Sequence, residues 1–150
     1  MSKRPKNIPI ISIKKPKTDP QLIRKSYSEK PKWCFCHLDF SGQWGWGNIT
    51  SRDDLFEIHQ RVRDFETMTW GEIERKRTKK GTPQNHSLER YKICAEAQRR
   101  LSEIRLESDT LFSLHVNGRK RIWGIKEGST FYFLWWDPEH TVYPITLSHT

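Results

Sequence analysis

The residues Cys34, Cys36 and His37 carry the side chains that most often bind zinc in proteins. The single residue between the two cysteines is a shorter spacing than zinc motifs use, and the chain has only one further cysteine, Cys94. If this stretch is a β-strand, Cys34 and Cys36 point to the same face. We therefore expect both to be small buried side chains rather than metal ligands, and we predict neither a metal site nor a cofactor.

A second group suited to chemistry is a basic run in which five of six consecutive residues are positively charged: Arg75, Lys76, Arg77, Lys79 and Lys80. Such a run binds nucleic-acid phosphates without a defined geometry, because each contact releases condensed counterions. The alternative is a loop whose charges are simply solvated. The sequence leaves both interpretations open, and these five residues are candidate RNA-binding residues.

Positive charge is also concentrated at the N-terminus. The chain of 150 residues has a net charge of +9, and residues 1–32 contain ten Lys or Arg but only two Asp or Glu. A basic segment of this kind attracts nucleic acid or another polyanion, or acts as a solubilising tail. Prolines recur through residues 1–31, which predicts a mostly disordered arm without regular helix. One domain is predicted over residues 32–150.

The sequence contains no apolar run long enough to span a membrane. The basic N-terminus is not followed by the apolar core of a signal peptide. Three cysteines are an odd number for a disulfide framework and fit reduced thiols. These features predict a cytoplasmic protein that does not contact membranes.

Three consecutive strands are predicted in the densest apolar part of the chain, residues 111–136. Asn117-Gly118 separates the first two and predicts a tight hairpin in which both residues take positive φ. A turn at Glu127-Gly128-Ser129 separates the second from the third, and Asp137-Pro138 ends the third. Aromatic and β-branched residues fill these segments, as is typical of strands in a sheet that is at least half buried.

The elements before this meander are one strand and several helices. Residues 32–40 alternate as a strand does, and a glycine-rich loop follows whose Trp44 and Trp46 we expect to pack on the body of the protein. Apolar residues at helical spacing predict amphipathic helices over residues 52–66 and 93–105. A capping box at Thr69–Glu72 predicts a short helix that ends near residue 75. The predicted fold is α+β: a two-layer arrangement in which two helices cover one antiparallel sheet.

Three segments of this pattern resemble the RelE/ParE superfamily of bacterial toxins, in particular its YoeB-like and HigB-like members. They are the helix sequence Ala95–Leu101, the paired strands Phe112–Val116 and Arg119–Trp123, and the segment Trp136–His140 near the chain end. The resemblance covers residues 88–144. It implies a RelE-like fold made of a strand, two helices and a three-stranded meander.

The resemblance further implies a ribosome-associated, metal-independent endoribonuclease, the toxin of a toxin-antitoxin system, in which the ribose 2′-OH attacks the adjacent phosphate. Arg121 then corresponds to the arginine that stabilises the pentacovalent phosphorane, and His140 to a terminal histidine acting as acid or base. Glu139 is expected to supply a carboxylate, and Arg119, Lys120 and His115 to contact RNA. A cognate antitoxin and the ribosome are the implied partners.

Two other functions remain open from the sequence. A protein of the same fold could bind nucleic acid or protein without cutting RNA, as ParE-like members act on DNA gyrase, or could be an accessory protein without toxicity. Under these alternatives Arg121 is an ordinary strand residue on the solvent face, and His140 caps the turn after Asp137-Pro138.

Overall fold

The C-terminal third of the chain forms three long antiparallel strands, and the other elements assemble around them. The computed structural model describes residues 11–12 and 20–144. Its helices are α1 (Pro20–Ser28), α2 (Arg52–Glu66), α3 (Trp70–Arg75) and α4 (Ala95–Glu103). Its strands are β1 (Ile11–Ser12), β2 (Lys32–Cys34), β3 (His86–Glu89), β4 (Leu106–Glu107), β5 (Thr110–Asn117), β6 (Lys120–Glu127) and β7 (Thr130–Asp137). The fold is α+β, as the sequence predicts.

Five strands form one mixed sheet in the order β2-β7-β6-β5-β3, and a separate parallel pair joins β1 to β4. β5, β6 and β7 form the predicted antiparallel meander, and β3 adds an antiparallel strand at one edge. At the other edge β2 runs parallel to β7, so the prediction of a purely antiparallel sheet is wrong there. The long connection between β2 and β7 permits parallel pairing, which a short turn does not.

The two hairpin turns depend on glycine. Gly118 and Gly128 have φ angles of 53° and 60°, a region that other residues rarely adopt. Asn117, which was also expected to take positive φ, is instead the last residue of β5. A two-residue turn with glycine at its first central position needs positive φ at that residue alone.

Helices cover both faces of the sheet. On one face, α2 and α3 pack on the meander through Ile58, Phe65, Ile73, Phe112, Leu114, Ile122, Phe131 and Phe133. On the other face, α4 packs on it through Ala97, Leu101, Leu111, Trp123, Ile125 and Leu134. The predicted two-layer arrangement is therefore wrong. Successive strand residues point to opposite faces, so strands that are apolar at nearly every position must be covered twice.

A β-bulge between β6 and β7 adjusts the pairing in the middle of the sheet. The extra residue is Leu134, and next to the bulge Gly124 pairs with Phe133. A side chain at position 124 would collide with the Tyr132 carbonyl oxygen and with the ring of Phe131. Glycine is therefore required at this point, where an aromatic ring lies across the neighbouring backbone.

The N-terminal segment contains a helix that the proline pattern was expected to exclude. α1 begins at Pro20, and proline is tolerated in the first turn of a helix because its missing N–H has no partner there. The helix is tied to α3, since the backbone N–H of Trp70 donates to the Glu29 carbonyl oxygen at 2.9 Å. The prediction of an arm without helix over residues 1–31 is thus wrong for residues 20–28. Its residues 1–10 and 13–19 lie outside the described part of the chain.

The loop after β2 is held in place by a buried carboxylate. β2 ends at Cys34, earlier than the predicted strand over residues 32–40. Asp39 accepts hydrogen bonds from Arg100 Nε at 2.9 Å, from Arg100 Nη2 at 2.8 Å and from Trp135 Nε1 at 2.9 Å. Trp44 is buried with its ring centroid 5.3 Å from that of Trp135, so the expectation that this indole packs on the body is confirmed.

Candidate functional site

The central feature of the candidate site is a row of three polar side chains across the meander. Arg121 in β6 is the cross-strand partner of His115 in β5 and of Asp137 in β7. Directly paired residues in antiparallel strands project from the same face of the sheet. Alternation along β6 places this row on the face of Trp123, which is the face that α4 covers. The row lies at the end of the sheet that carries the Gly118 turn.

Arg121 is held by the hairpin that contains it. Its Nη1 donates to the Gly118 carbonyl oxygen at 2.6 Å and to the Lys120 carbonyl oxygen at 3.1 Å. Burial lowers the pKa of the guanidinium, and the carboxylate of Asp137 acts in the opposite direction. The group remains charged at neutral pH because an arginine pKa is far above 7. Two backbone carbonyls therefore fix a permanent positive charge at the end of the sheet.

His115 is a half-buried imidazole surrounded by positive charge. Burial, and then the charges of Arg121 and Arg61, lower its pKa to about 4. Its backbone N–H donates to Asn85 Oδ1 at 2.8 Å, and Arg61 Nε donates to the neighbouring Val116 carbonyl oxygen at 3.0 Å. The ring is therefore neutral at pH 7, so it can act as a base but not as an acid.

Asp137 fixes the chain segment that follows β7. Its fully buried carboxylate accepts from Trp123 Nε1 at 3.1 Å, from the Thr141 backbone N–H at 2.9 Å and from the Val142 backbone N–H at 3.0 Å. The Thr141 hydroxyl adds a fourth contact at 3.3 Å. A buried carboxylate needs such donors to offset the loss of water. Residues 138–142 are consequently folded into a defined loop around it.

His140 lies in this loop with a φ of 60°, an unusual value for a residue other than glycine. Burial and then the charge of Arg121 lower the pKa of its imidazole, while Asp137 acts to raise it. Its Nδ1 is buried and has no hydrogen-bond partner among the described residues. The structure therefore pairs Arg121 with His115 across the sheet, and the charge of Arg121 acts on the pKa of both His115 and His140. We call these three residues the His-Arg cluster.

Three residues expected to act with this cluster are engaged elsewhere. The Lys120 ammonium donates to Asp54 Oδ1 at 2.9 Å and to Glu57 Oε2 at 3.0 Å, so it joins β6 to α2. Glu139 lies 3.8 Å from the Arg119 guanidinium in an exposed ion pair, with 68% and 76% of the two side chains accessible. The Lys120 ammonium is thus held by α2, and Arg119 and Glu139 form a pair on the surface.

The basic run from Arg75 to Lys80 starts at the end of α3 and enters a short hairpin. Arg77 pairs with Pro83, and Thr78 and Thr82 are joined through their hydroxyl groups at 2.7 Å. Lys79 and Lys80 are exposed near its tip. Within the described part of the chain, none of the five basic residues forms an ion pair. These charges therefore lie on an ordered projection and not on a loose loop.

Sequence reasoning did not identify two residues that shape the site, Asn85 and Arg61. Asn85 is buried, donates from Nδ2 to the Ile73 carbonyl oxygen at 3.1 Å and accepts from the backbone of His115. It also lines a cavity of about 430 Å³ between α1, α3 and β3. A buried amide before an unrecognised edge strand leaves no pattern in the sequence that could have revealed it.

Only the first residue of the Cys34 and Cys36 pair lies in a strand. Cys34 ends β2 half-buried, whereas Cys36 lies exposed in the following turn. The two sulfur atoms are 2.9 Å apart, and His37 points instead to Tyr132, whose ring it stacks on with centroids 4.9 Å apart. The expectation that both cysteines are buried is wrong for Cys36, because the strand stops before reaching it. No group of three metal-ligating side chains occurs among the residues that the structure describes.

Comparison of the chain with protein-family models, with curated proteins and with solved structures finds no match in any of the three. In residues 11–12 and 20–144 there is no helix of the length and apolar character that crossing a membrane requires.

Proposed function

We propose that this protein is a metal-independent endoribonuclease with a RelE-like fold, and that the His-Arg cluster is its catalytic centre. The observation that carries the proposal is the position of Arg121, which is paired across the sheet with His115 and whose charge also acts on His140. Phosphodiester cleavage by the ribose 2′-OH requires a cation beside the phosphate and groups that move protons. The cluster contains both.

The cleavage has two proton transfers. A base removes the proton of the 2′-OH as its oxygen attacks the phosphorus, and an acid protonates the departing 5′-oxygen, leaving a 2′,3′-cyclic phosphate. His115 and His140 are both neutral at pH 7, so either ring can act as the base. A bound phosphate cancels part of the charge of Arg121 and favours protonation of the other ring, which then serves as the acid.

Arg121 has the role of stabilising negative charge that develops on the phosphorane oxygens. Nη1 is already held by two backbone carbonyls, so the guanidinium is oriented before RNA binds. An oriented charge of this kind needs no reorganisation during the reaction and is worth about 10²–10³-fold in rate. Glu139 is given no step in this mechanism, since its carboxylate is paired with Arg119 on the exposed surface.

The proposal also includes an RNA-binding surface and two partners, the ribosome and an antitoxin. The basic hairpin that follows α3 binds the RNA backbone, since its charges are exposed or half-buried and free of ion pairs with described residues. The ribosome supplies the RNA in its decoding site, and a cognate antitoxin protein binds and inhibits the enzyme. These partners follow from the RelE-like assignment.

The experiment is an RNA cleavage assay with purified protein. It is run on message in a reconstituted translation system and, separately, on free RNA with and without EDTA. Wild-type protein cuts the message, and EDTA does not prevent cutting of free RNA. Arg121→Ala and His140→Ala lower the rate at least about 100-fold. Arg63→Ala and His59→Ala are matched controls on the exposed face of α2 and retain the wild-type rate. Intact message at high protein concentration, with and without ribosomes, rejects the proposal.

A second function is favoured by the same hydrogen bonds. Arg121 donates to Gly118 and Lys120 as a residue that only stabilises its hairpin would. In that case the protein binds nucleic acid or a protein without cutting RNA, as a ParE-like gyrase inhibitor or a non-toxic accessory protein. Growth arrest on expression that persists in both alanine variants, together with induction of the DNA-damage response, identifies the gyrase inhibitor. Absence of any growth defect identifies the accessory protein.

A further inference from the structure

The cavity between α1, α3 and β3 is lined by polar and charged groups that have no role in the proposed cleavage step. Its volume is about 430 Å³, within the range of small-ligand sites. The functional groups in its lining belong to Tyr27, Glu74, Arg75, Arg77, Asn85 and His86. They combine one carboxyl group, one phenol ring and two guanidinium groups around a space large enough for a planar ring system.

Glycine at position 71 brings two of these groups together. A Cβ atom at Gly71 would lie 3.0 Å from the Tyr27 carbonyl oxygen and 3.1 Å from Arg75 Nη1. The backbone of α1 and the Arg75 guanidinium therefore both approach α3 closely at Gly71, which has no side chain to keep them apart. Tyr27 is 42% exposed, so one part of the residue faces solvent while its backbone is fixed against α3.

Glu74 is the carboxyl group of the cavity. Its Oε2 is buried and accepts no hydrogen bond from the described residues. Burial raises the pKa of Glu74, and the Lys126 ammonium acts against that shift. Lys126 itself lies over the Trp70 ring, 4.9 Å from its centroid, and does not form an ion pair with Glu74. A buried acceptor without a donor is costly, and a ligand that brings N–H groups removes that cost.

The positive groups lie where the cavity meets the basic hairpin. Arg75 is at the end of α3 and Arg77 is in the first arm of the hairpin, and both side chains are exposed. Guanidinium groups bind phosphate oxygens in a bidentate manner. The cavity thus offers an acceptor for N–H groups, an aromatic face for a planar ring and two cations for a phosphate, which is the set that a nucleotide needs.

We infer that this cavity binds one guanine nucleotide of single-stranded RNA, with the Glu74 carboxylate accepting from the guanine N1–H and N2–H₂ groups. The base stacks on the Tyr27 ring, and the phosphate binds Arg75 and Arg77. Guanine is the base that presents two adjacent donors on its pairing edge, which matches the two oxygens of a carboxylate once the Glu74 side chain turns its buried Oε2 into the cavity. Adenine, cytosine and uracil each present an acceptor beside the donor, which a carboxylate repels.

The inference rests on the proposed function for its substrate class, because RNA supplies the nucleotide. Asn85 connects the two sites, since it lines the cavity and accepts a hydrogen bond from the backbone of His115 in the His-Arg cluster. The cavity lies on the α3 face of the sheet and the cluster on the α4 face, so an RNA strand that occupies both passes over the β3 edge. The cavity becomes the determinant of where the RNA is cut.

The test is calorimetric titration of the full-length protein with GMP, AMP, CMP and UMP as separate probes. Wild-type protein binds GMP at least about tenfold more tightly than the other three, as expected of a bidentate pair. Glu74→Gln removes that preference, whereas Arg75→Ala weakens all nucleotides to the same extent. Glu107→Gln changes an exposed carboxyl group in β4 and is the matched control with wild-type binding. Tyr27→Leu weakens GMP binding and provides a second variant at a half-exposed position.

The outcomes for the two sites are distinguishable. Arg121→Ala binds GMP as the wild type does, so loss of RNA cleavage in that variant with unchanged GMP binding supports both proposals. Wild-type protein that binds GMP selectively but cuts no RNA rejects the catalytic proposal alone. Equal affinity for all four nucleotides, or wild-type GMP binding in both Glu74→Gln and Tyr27→Leu, overturns the guanine site.

Discussion

Arg121 and His115 are direct cross-strand partners, and the guanidinium helps to hold the pKa of the imidazole at about 4. Strand pairing fixes this relationship, because directly paired residues in antiparallel strands project from the same face of the sheet. The charge of the same guanidinium also acts on the pKa of His140, in the loop after β7. The charge of Arg121 thus adds to burial in keeping both imidazoles neutral.

Arg121→Gln is expected to raise the pKa of both histidines. Burial contributes the larger part of each downward shift and stays in place, so neither pKa returns fully to its ordinary value near 6.5. NMR titration of the imidazole Cε1 protons measures both values in one experiment. Arg63→Gln, an exposed change on α2, is the control. Unchanged histidine titrations in Arg121→Gln would show that the guanidinium does not act on either ring.

Acidification is expected to destabilise the fold between about pH 6.5 and pH 4. The folded protein keeps His115 neutral until about pH 4, whereas the unfolded chain binds a proton near pH 6.5. The unfolded state therefore holds more protons in this window, and the free energy of unfolding falls as the pH is lowered. Arg121, Arg61 and Lys76 all act to keep the ring neutral.

The size of this effect is about 1–2 kcal/mol, after discounting for solvent around the half-buried ring. Urea unfolding at several pH values measures it. His115→Asn has no imidazole at this position, so its stability is expected to depend less steeply on pH in the same window. The downward pKa shift of His140 acts in the same direction and leaves a residual slope in that variant. Equal slopes for His115→Asn and wild type contradict the assignment.

The parts of the fold that the sequence predicts are those whose signals are local. The helix over residues 52–66 is found with the same bounds, and the capping box at Thr69 and Glu72 forms as expected. The meander is found where glycine turns separate apolar runs. β3 was missed because its four residues, of which only Leu88 is buried, carry too short an apolar pattern. Its strand identity comes from pairing with β5, which is not local.

In the candidate site too, local signals in the sequence predict some positions, and contacts between distant segments decide the others. Arg121, His115 and His140 come together because strand register and the Asp137 loop place them, and the first two positions could be inferred from a meander with one tight turn. Lys120 could not be assigned, because its partners are in α2, more than sixty residues away in the sequence. The burial of both sheet faces was also missed, since it depends on the β2 connection and the placement of α4.

Lys120 and Lys80 are expected to differ when each is changed to alanine. Lys120→Ala removes an ammonium that joins β6 to Asp54 and Glu57, which costs about 1 kcal/mol of stability and leaves the salt dependence of RNA binding unchanged. Lys80→Ala leaves stability unchanged and lowers the slope of log affinity against log salt by about 0.7 for a single-stranded RNA. Urea unfolding and RNA titrations at four salt concentrations measure the two effects. The reverse pattern would make Lys120 the RNA ligand.

The ion pair between Arg100 and Asp39 is expected to be one of the strongest single contributions to stability. Burial acts to raise the Asp39 pKa, but the hydrogen bonds from Arg100 and Trp135 outweigh it and hold that pKa below its ordinary value. Only 2% of the Asp39 side chain is exposed, so Arg100→Ala leaves an almost buried, unpaired carboxylate. The expected loss is about 3–5 kcal/mol in urea unfolding. Arg99→Ala, the exposed neighbour on α4, is the control and changes stability by less than about 0.5 kcal/mol.

Asp137→Asn is expected to affect both the fold and the His-Arg cluster. The amide can accept through only one of its two positions, whereas the carboxylate accepts on Oδ1 from Thr141 and on Oδ2 from Trp123 and Val142. At least one buried donor is left unpaired, which costs about 1–3 kcal/mol.

The same substitution removes the negative charge of Asp137, which acts against that of Arg121 at His140, so the pKa of that histidine falls further. Urea unfolding and NMR titration of His140 measure the two consequences separately. Asp137→Glu keeps the charge but displaces it, and is expected to lose stability without that further fall. A His140 pKa that rises in Asp137→Asn would mean that the loop has opened and released the imidazole to water, and that burial, more than charge, governs its protonation.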